Sequence, residues 1–238
     1  MEEYPYCHST LFPYATTHRT RSFKLSRNGR FGEKLVDVVD LYMNSPEKAV
    51  VFSMDEEPQV QVHECTQTVL PMAEHWSEGR PHDYRRIGTV DLFAALNILD
   101  GKVIREYYRQ HRHLEFLAFL RRLDNEVENA TDIHVVLDNL GAHGTEEVRR
   151  LLRRHSRFHF HFIPTGSSWV NMMENWFSQQ EKKALRRGCF RSVHELRKAI
   201  RAFVQTTNGR AEPLVWTKDA SKILEKVAKI HRQMEPTE

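Results

Sequence analysis

The sequence predicts an α/β fold, in which one mixed β-sheet is flanked by helices. Short apolar runs rich in β-branched and aromatic residues are typical of buried strands. Asp100 and Gly101 separate two β-like runs, which is a strong β-hairpin signal. Strands and helices then alternate along the chain, which indicates parallel strands beside the antiparallel hairpin. The predicted strands are 48–54, 59–63, 90–99, 102–108, 133–137 and 158–163.

Helices are predicted where apolar residues recur every three or four positions. Ser167 or Ser168 is the expected N-cap of the fourth helix, and Ser192 with Glu195 forms a capping box at the start of the fifth. The polar stretch 71–87 is predicted to be a loop. The predicted helices are 31–44, 113–127, 146–155, 168–187, 192–206 and 219–234.

The chain divides into three predicted segments. Residues 1–33 contain two prolines and little helical periodicity, so they are expected to form an arm or linker. Residues 34–210 are expected to form the α/β domain. Residues 211–238 are expected to hold a C-terminal helix.

The composition indicates a soluble, intracellular protein. Of the 238 residues, 40% are hydrophobic and 28% are charged, and no apolar stretch is long enough to cross a bilayer. The N-terminus lacks the pattern of a secretory signal. The three scattered cysteines favour neither a disulfide framework nor a thiolate zinc site, so we expect a reducing, cytoplasmic location. These cysteines are Cys7, Cys65 and Cys189.

Basic residues are concentrated in three runs, although the net charge is only +3. A basic surface with acidic residues clustered elsewhere is what a phosphate-binding enzyme needs. Solvated helix faces are the alternative interpretation of each run. The runs are Arg19, Arg21, Lys24, Arg27 and Arg30; Arg149, Arg150, Arg153 and Arg154; and Lys182, Lys183, Arg186, Arg187 and Arg191.

Two predicted strands end in an aspartate, Asp55 in VVFSMDE and Asp138 in HVVLDN. Ligands of α/β sheets gather outside the carboxyl ends of strands, so parallel neighbouring strands would bring both carboxylates together. Each aspartate could instead serve only to begin a turn. His143 follows in the loop after Asp138, where it could touch substrate or water or have no role.

Glu174 provides a third carboxylate, in a predicted helix that also contains Asn171 three residues earlier. Its neighbours are mostly apolar, and a carboxylate there is costly to bury unless it is paired or metal-bound. Glu174 could also lie at the rim of an ordinary amphipathic helix. Three carboxylates without converging cysteines favour Mg²⁺ or Mn²⁺ over Zn²⁺. The histidine pairs His111 and His113, and His159 and His161, lack a second pair at zinc-finger spacing.

Seven sequence blocks resemble the catalytic domain of DDE-type insertion-sequence transposases, the bacterial relatives of the mariner elements. The resemblance covers roughly residues 17–233, and 35 residues separate Asp138 from Glu174. The blocks are MDE at 54–56, LFAAL at 92–96, GKVI at 101–104, HRHLEFLAFLR at 111–121, VVLDN at 135–139, PTGSSWVNMMENWF at 164–177 and RRGCFRSVHEL at 186–196.

The resemblance implies an RNase H-like fold with a mixed five-stranded sheet and extra C-terminal helices, with 34–210 as the DDE catalytic domain. It implies that Asp55, Asp138 and Glu174 bind two Mg²⁺ or Mn²⁺ ions, with water as the first nucleophile and a DNA 3′-end as the second. The implied partners are transposon ends, target DNA and a second copy in a synaptic homodimer, on the bacterial nucleoid. The implied supporting residues are Glu56, Asn139, His143 and Asn171.

Departures from the family leave a second hypothesis open. Residues 1–30 are too short for the helix-turn-helix region of relatives, so we expect a separately encoded region or a truncated remnant. Glu57-Pro58 replaces the more usual Lys-Ser, and Met172 occupies a position where a polar residue is common. The alternative function is therefore a non-transposing module that only binds DNA or a partner. The block matches disfavour a nuclease acting on RNA or hybrids.

Overall fold

A mixed five-stranded sheet forms the centre of the protein. The computed structural model describes residues 29–65, 84–185, 188 and 190–234. The strand order is β3-β2-β1-β4-β5. β1 pairs antiparallel with β2, β2 antiparallel with β3, and β1–β4 and β4–β5 are parallel pairs, which confirms the predicted mixed sheet. The strands are β1 (Ala49–Cys65), β2 (Tyr84–Asn97), β3 (Val103–Tyr108), β4 (Asp132–Leu137) and β5 (Phe158–Phe162).

Helices cover both faces of this sheet. The described helices are α1 (Phe31–Met43), α2 (His113–Glu126), α3 (Glu146–Arg154), α4 (Met172–Gln180), α5 (Val193–Asn208) and α6 (Ala220–Met234). The helices α1, α4, α5 and α6 pack on one face, which we call the α4 face. The helices α2 and α3 pack on the other, the α2 face. No helix in the described part of the chain is long and apolar enough to cross a membrane.

Alternate residues of β1 supply the two cores. Val51 is 0% exposed on the α4 face, and its neighbour Phe52 is 1% exposed on the α2 face. Burial of such a side chain contributes about 1.5–3 kcal/mol. Because both faces are covered, the strand shows a continuous apolar run instead of an alternating pattern.

The predicted hairpin is confirmed, with Gly101 in its turn at a φ of 71°. That left-handed conformation favours glycine. A Cβ atom at Gly101 would lie 2.1 Å from the carbonyl oxygen of Glu212, so the C-terminal segment packs where a side chain would collide. The amide of Leu214 donates to the carbonyl of Ile98 at 2.9 Å and fastens that segment to the hairpin.

Residues 59–63 are in a β-strand as predicted but do not form a separate strand, and the prediction of a loop at residues 84–87 is wrong. Residues 59–63 continue β1, and a register shift between Glu57 and Val60 coincides with a φ of 52° at Gln59, which is typical of a β-bulge. Residues 84–87 belong to β2, because backbone pairing with β1 does not require apolar side chains. Residues 71–83 of the predicted loop and 1–28 of the predicted arm lie outside the described residues.

The predicted start of the fourth helix is also wrong. Ser168–Val170 form a 3-10 turn, and α4 begins at Met172 with Asn171 as its N-cap. The helix ends in a π-helical turn at Glu181–Leu185. By contrast, Ser192 caps α5 as predicted, since its hydroxyl accepts from the amide of Glu195 at 3.2 Å.

Candidate active site

The parallel pairing of β1 and β4 places Asp55 beside Asp138. Ser53 is the register partner of Val136, and two more residues along each strand lead to the aspartates. β4 ends at Leu137, whereas β1 continues and pairs Asp55 with Ala94 of β2. The sequence predicted that Asp55 lies at the end of its strand. In the structure it lies within β1, which continues to Cys65. Both carboxylates still lie where the parallel part of the sheet stops.

Asn171 fastens the start of α4 to β1. Its side chain is 2% exposed and donates from Nδ2 to the carbonyl of Met54 at 3.1 Å. Its Oδ1 accepts from the Ser53 hydroxyl at 2.5 Å and from the amide of Met173 at 3.0 Å. Since Ser53 and Met54 directly precede Asp55, these bonds fix the first turn of α4 next to that carboxylate.

Glu174 lies in this first turn, three residues after the cap, on the exposed side of the helix. The unpaired amides of a helix N-terminus favour an anion there. The pKa of Glu174 is raised by partial desolvation and then by the negative charge of Asp138. Glu174 therefore faces the aspartates and does not enter the core.

Asp55 has the most perturbed carboxyl group of the site. Burial raises its pKa to about 8, and the negative charges of Glu174, Glu56 and Asp138 act in the same direction. The amide of Glu56 donates to Asp55 Oδ1 at 2.9 Å and opposes the shift only in part. Asp55 and Glu174 make no ion pair with a cation among the described residues. This side of the site therefore has no described cation to balance its carboxylates once they ionise, and Asp55 keeps its proton up to a pKa of about 8.

His143 links the other two carboxylates. Its side chain is 2% exposed, and its ring packs against Phe116 with 4.3 Å between the centroids. Nε2 lies 3.0 Å from Glu56 Oε1, and Nδ1 lies 3.3 Å from Asp138 Oδ1. Burial lowers the pKa of His143, but its hydrogen bonds to Asp138 and Glu56 outweigh burial and raise the pKa to about 10. The same contact lowers the pKa of Asp138.

Glu56, Asp138 and His143 form a candidate metal site, because one ligand atom from each lies within 4.8 Å of the others. However, both nitrogens of His143 face oxygen acceptors in the metal-free protein, an arrangement that favours the doubly protonated imidazolium. A protonated histidine has no lone pair for a metal. The residues fit a cation better on the opposite side of Asp138, where the carboxylates of Asp55 and Glu174 have no counterion among the described residues.

The Asn139 side chain contacts a backbone carbonyl on one side and a lysine on the other. Its Nδ2 donates to the carbonyl of Ile163 at 2.7 Å, and its Oδ1 accepts from Lys34 Nζ at 2.6 Å. Desolvation lowers the pKa of Lys34, followed by the positive charge of Arg30. Lys34 comes from α1, far away in the sequence, and was not among the predicted site residues.

The histidine pairs lie outside this group. His161 of β5 lies 2.9 Å from Asp37 of α1 and 2.9 Å from His134 of β4. His111 Nδ1 lies 2.9 Å from Asp91 Oδ2. The described part of the chain brings neither predicted pair into the candidate metal site.

A mixed sheet with carboxylates gathered where its central parallel strands end is the arrangement expected of the predicted RNase H-like fold. The chain belongs to the DDE superfamily endonuclease family, whose sequence model matches residues 50–197. The predicted family, and with it the predicted class of enzyme, is therefore confirmed.

A curated relative and several solved structures agree with this assignment. An uncharacterized 39 kDa protein of insertion element IS630 from Shigella sonnei is 27% identical over 117 residues, which is 49% of this chain and 34% of that protein. Mos1 transposase paired-end complexes, one with the left transposon end and one with Mn, are 12% and 13% identical. Each match has a TM-score of 0.59 and covers 92% of this chain and 64% of the Mos1 chain.

The isolated catalytic domain of Mos1 mariner transposase is 12% identical, with a TM-score of 0.52 over 87% of this chain and 91% of that domain. This similarity confirms the predicted RNase H-like fold with additional C-terminal helices. The chain spans less than two thirds of the longer Mos1 chains and about one third of the IS630 protein in the matched region.

Proposed function

We propose that this chain is the catalytic domain of a transposase, which hydrolyses DNA phosphodiester bonds and joins the resulting 3′-end to target DNA. Asp55, Asp138 and Glu174 are the proposed metal-binding carboxylates. The observation that carries the proposal is the burial of Asp55 beside Glu174 and Asp138, since burial and then the negative charges of its neighbours raise the pKa of Asp55 to about 8. Membership of an endonuclease family supports the reaction class, and the transposon end in the Mos1 complex supports the substrate.

The proposed cofactor is a pair of Mg²⁺ or Mn²⁺ ions. Carboxylate oxygens are the ligands that these hard cations prefer, and the Mn-containing Mos1 complex supports the choice. Asp55, Asp138 and Glu174 would hold these ions, which would supply activation of a water or a 3′-hydroxyl and stabilisation of the leaving oxygen. Asp138 would be shared between this cation site and His143.

The protein's other residues would position the carboxylates. The His143 imidazolium holds Asp138 on one side and neutralises Glu56 on the other, so that Asp138 keeps one orientation. Asn171 holds α4 against β1 and thereby holds Glu174 near Asp55. Asn139 holds the start of the β4–α3 loop on Ile163. Such supporting contacts typically change metal affinity or activity by about 10–100-fold.

The proposed partners follow from the reaction. Transposition requires two DNA ends and a target, so we infer a homodimer in the synaptic complex and a helix-turn-helix region that finds the ends. The relative from an insertion element of Shigella sonnei supports a bacterial cytoplasm, on the nucleoid, as the place of action.

The test is nicking of supercoiled plasmid by the whole chain with Mg²⁺ or Mn²⁺. Asp55→Asn should reduce the rate by about three orders of magnitude or more, as expected for a group that contacts the reacting centre. Asp132→Asn is the matched control, because it removes a carboxylate from the opposite end of β4. Equal nicking by wild type and Asp55→Asn would indicate contamination and refute the site. DNA binding without any cleavage would favour the binding-module hypothesis.

A further inference from the structure

An arginine cluster lies at the open edge of the sheet, outside the candidate active site. Its members are Arg105 and Tyr107 of β3 and Arg197 and Arg201 of α5. β3 is the edge strand, and α5 packs on the α4 face against β2 and contacts β3 at Tyr107. Arg105 and Arg197 are half-buried and Arg201 is exposed, so the cluster reaches solvent.

Tyr107 is the centre of the cluster. Arg105 Cζ lies 4.5 Å from the centroid of its ring, and Arg197 Cζ lies 5.2 Å from it. The Tyr107 hydroxyl donates to the carbonyl oxygen of Arg197 at 3.0 Å. Two guanidinium groups are thus held against one ring by cation–π contacts and a hydrogen bond. Arg201 follows Arg197 by four residues and adds a third charge on the same helix face.

The cluster lacks a negative partner. Among the residues that the structure describes, no carboxylate lies within 4.0 Å of Arg105, Arg197 or Arg201 to form an ion pair. The Nε atoms of Arg105 and Arg197 are buried and have no hydrogen-bond partner. Like charges four residues apart destabilise a helix, and buried donors without acceptors are costly. A bound anion would relieve both conditions.

The sheet register relates this cluster to the candidate active site. Asp55 pairs with Ala94, and Ala94 pairs with Arg105. Residues directly opposite in antiparallel pairs point to the same face, so Arg105 lies on the α4 face with Asp55. Two strand spacings separate them by roughly 10 Å. A DNA strand advances by about 3.4 Å per nucleotide, so a backbone phosphate a few nucleotides from the reacting bond would reach the cluster.

We propose that Arg105, Arg197 and Arg201 bind a phosphate group of the DNA backbone near the bond that is cut. This inference rests on the proposed function, because it takes DNA as the substrate. The guanidinium group is planar and presents paired N–H donors that match phosphate oxygens, and stacking on Tyr107 holds that fork in place. A contact with a backbone phosphate fixes affinity and position and carries no sequence information directly.

The test measures the salt dependence of DNA binding by fluorescence anisotropy, in EDTA, with a labelled duplex. Each arginine that contacts a phosphate contributes about 0.9 to the slope of log K against log salt. Arg201→Gln should therefore lower the slope by about one and weaken binding roughly eightfold at 0.1 M salt. This variant should leave the fold intact, since Arg201 is exposed and makes no ion pair with a described carboxylate.

Two further variants sharpen the test. Arg105→Lys keeps the charge but loses the paired N–H donors, so it should retain most of the slope of log K against log salt. Arg105→Gln also loses the charge, so its slope should fall by about one. Arg121→Gln is the matched control, because it removes an exposed charge from α2 on the other face. Unchanged slopes in Arg201→Gln and Arg105→Gln, or an equal loss in Arg121→Gln, would overturn the proposal.

A titration with inorganic phosphate separates the two possible sources of the anion. Phosphate binding that Arg201→Gln abolishes, with no change in the DNA slope, would assign the cluster to a free anion and overturn the DNA proposal. Plasmid nicking tells this failure apart from that of the proposed function. If the arginine variants have wild-type slopes and nicking still depends on Asp55, only the proposed phosphate site is refuted. If the arginine variants have lowered slopes but the wild-type protein does not nick plasmid, only the catalytic proposal is refuted.

Discussion

The two sides of Asp138 differ in how their negative charge is balanced. Toward the α2 face, the buried His143 imidazolium lies 3.0 Å from Glu56 and 3.3 Å from Asp138. Toward the α4 face, Asp55 and Glu174 have no cation partner among the described residues, and their pKa values are raised. The first side is complete as folded. The second side needs an external cation, which is why the proposed metal ions belong there.

Asp55 and Glu56 are neighbours in sequence but have different roles on the two sides of Asp138. Glu56 and Asp55 are consecutive in β1 and therefore point to opposite faces of the sheet. Glu56 has a 7% exposed side chain and a histidine partner, whereas Asp55 faces the start of α4. Adjacent acidic residues can thus be one supporting group and one proposed ligand.

The largest expected effect is on the rate of plasmid nicking when one carboxylate is neutralised on each side of Asp138. Glu174→Gln keeps the shape of an exposed side chain and removes a proposed ligand, so plasmid nicking should fall by about three orders of magnitude. Glu56→Gln removes a supporting carboxylate, and nicking should fall by about 10–100-fold. The rates are measured at saturating Mg²⁺, with thermal unfolding as the control for folding. Equal losses in the two variants would contradict the distinction between the sides.

A smaller effect is expected from removing the internal cation. His143→Ala leaves the buried carboxylate of Glu56 without its partner, which typically costs about 3–5 kcal/mol of unfolding free energy. Chemical denaturation of the metal-free protein measures that cost. The double variant His143→Ala/Glu56→Gln should recover part of it, since it removes the unpaired charge. If the single and double variants were equally unstable, packing of the ring against Phe116 would account for the loss instead of charge.

Most of the fold could be predicted from the sequence, because buried strands and amphipathic helices leave periodic patterns. The exceptions have physical causes. The extension of β1 beyond Gln59 depends on backbone pairing with β2, which polar side chains do not reveal. The start of α4 shifted from Ser168 to Met172 because the buried Asn171 side chain caps the helix. Ser167 and Asn171 are both good N-caps, so local preference alone could not choose between them.

The residues of the candidate site were easier to predict from the sequence than the contacts between them. Asp55, Asp138 and Glu174 stood out through their positions after apolar runs and through the family resemblance. Glu56 and His143 are 87 residues apart, and no local pattern reveals their pairing. Ser53, which holds Asn171, is a small residue within an apolar run and gave only a weak signal. The interaction of Lys34 with Asn139 spans 105 residues and also requires the tertiary structure.

A further expected effect is the pH dependence of stability without metal, to which the two sides contribute separately. The folded-state pKa of Asp55 is raised from 3.8 to about 8. The folded protein therefore keeps a proton that the unfolded chain has already released. This contribution to stability is fully present below the unfolded pKa and is lost as the pH rises toward 8. His143, with its pKa raised from 6.5 to about 10, loses its contribution at higher pH, between the unfolded and folded values.

The thermal midpoint of the metal-free protein should therefore fall as the pH rises from about 5 to about 9, by on the order of 2–4 °C for each kcal/mol lost. Asp55→Asn removes the first contribution, so its midpoint should fall less up to about pH 8. It should then follow wild type above that pH, where His143 alone still titrates. Added Mg²⁺ should flatten the wild-type curve over the same range and leave the Asp55→Asn curve nearly unchanged, because the cation replaces the proton on Asp55. Parallel curves for wild type and Asp55→Asn would mean that the charge on the α4 side is already balanced within the protein, and the need for an external cation would disappear.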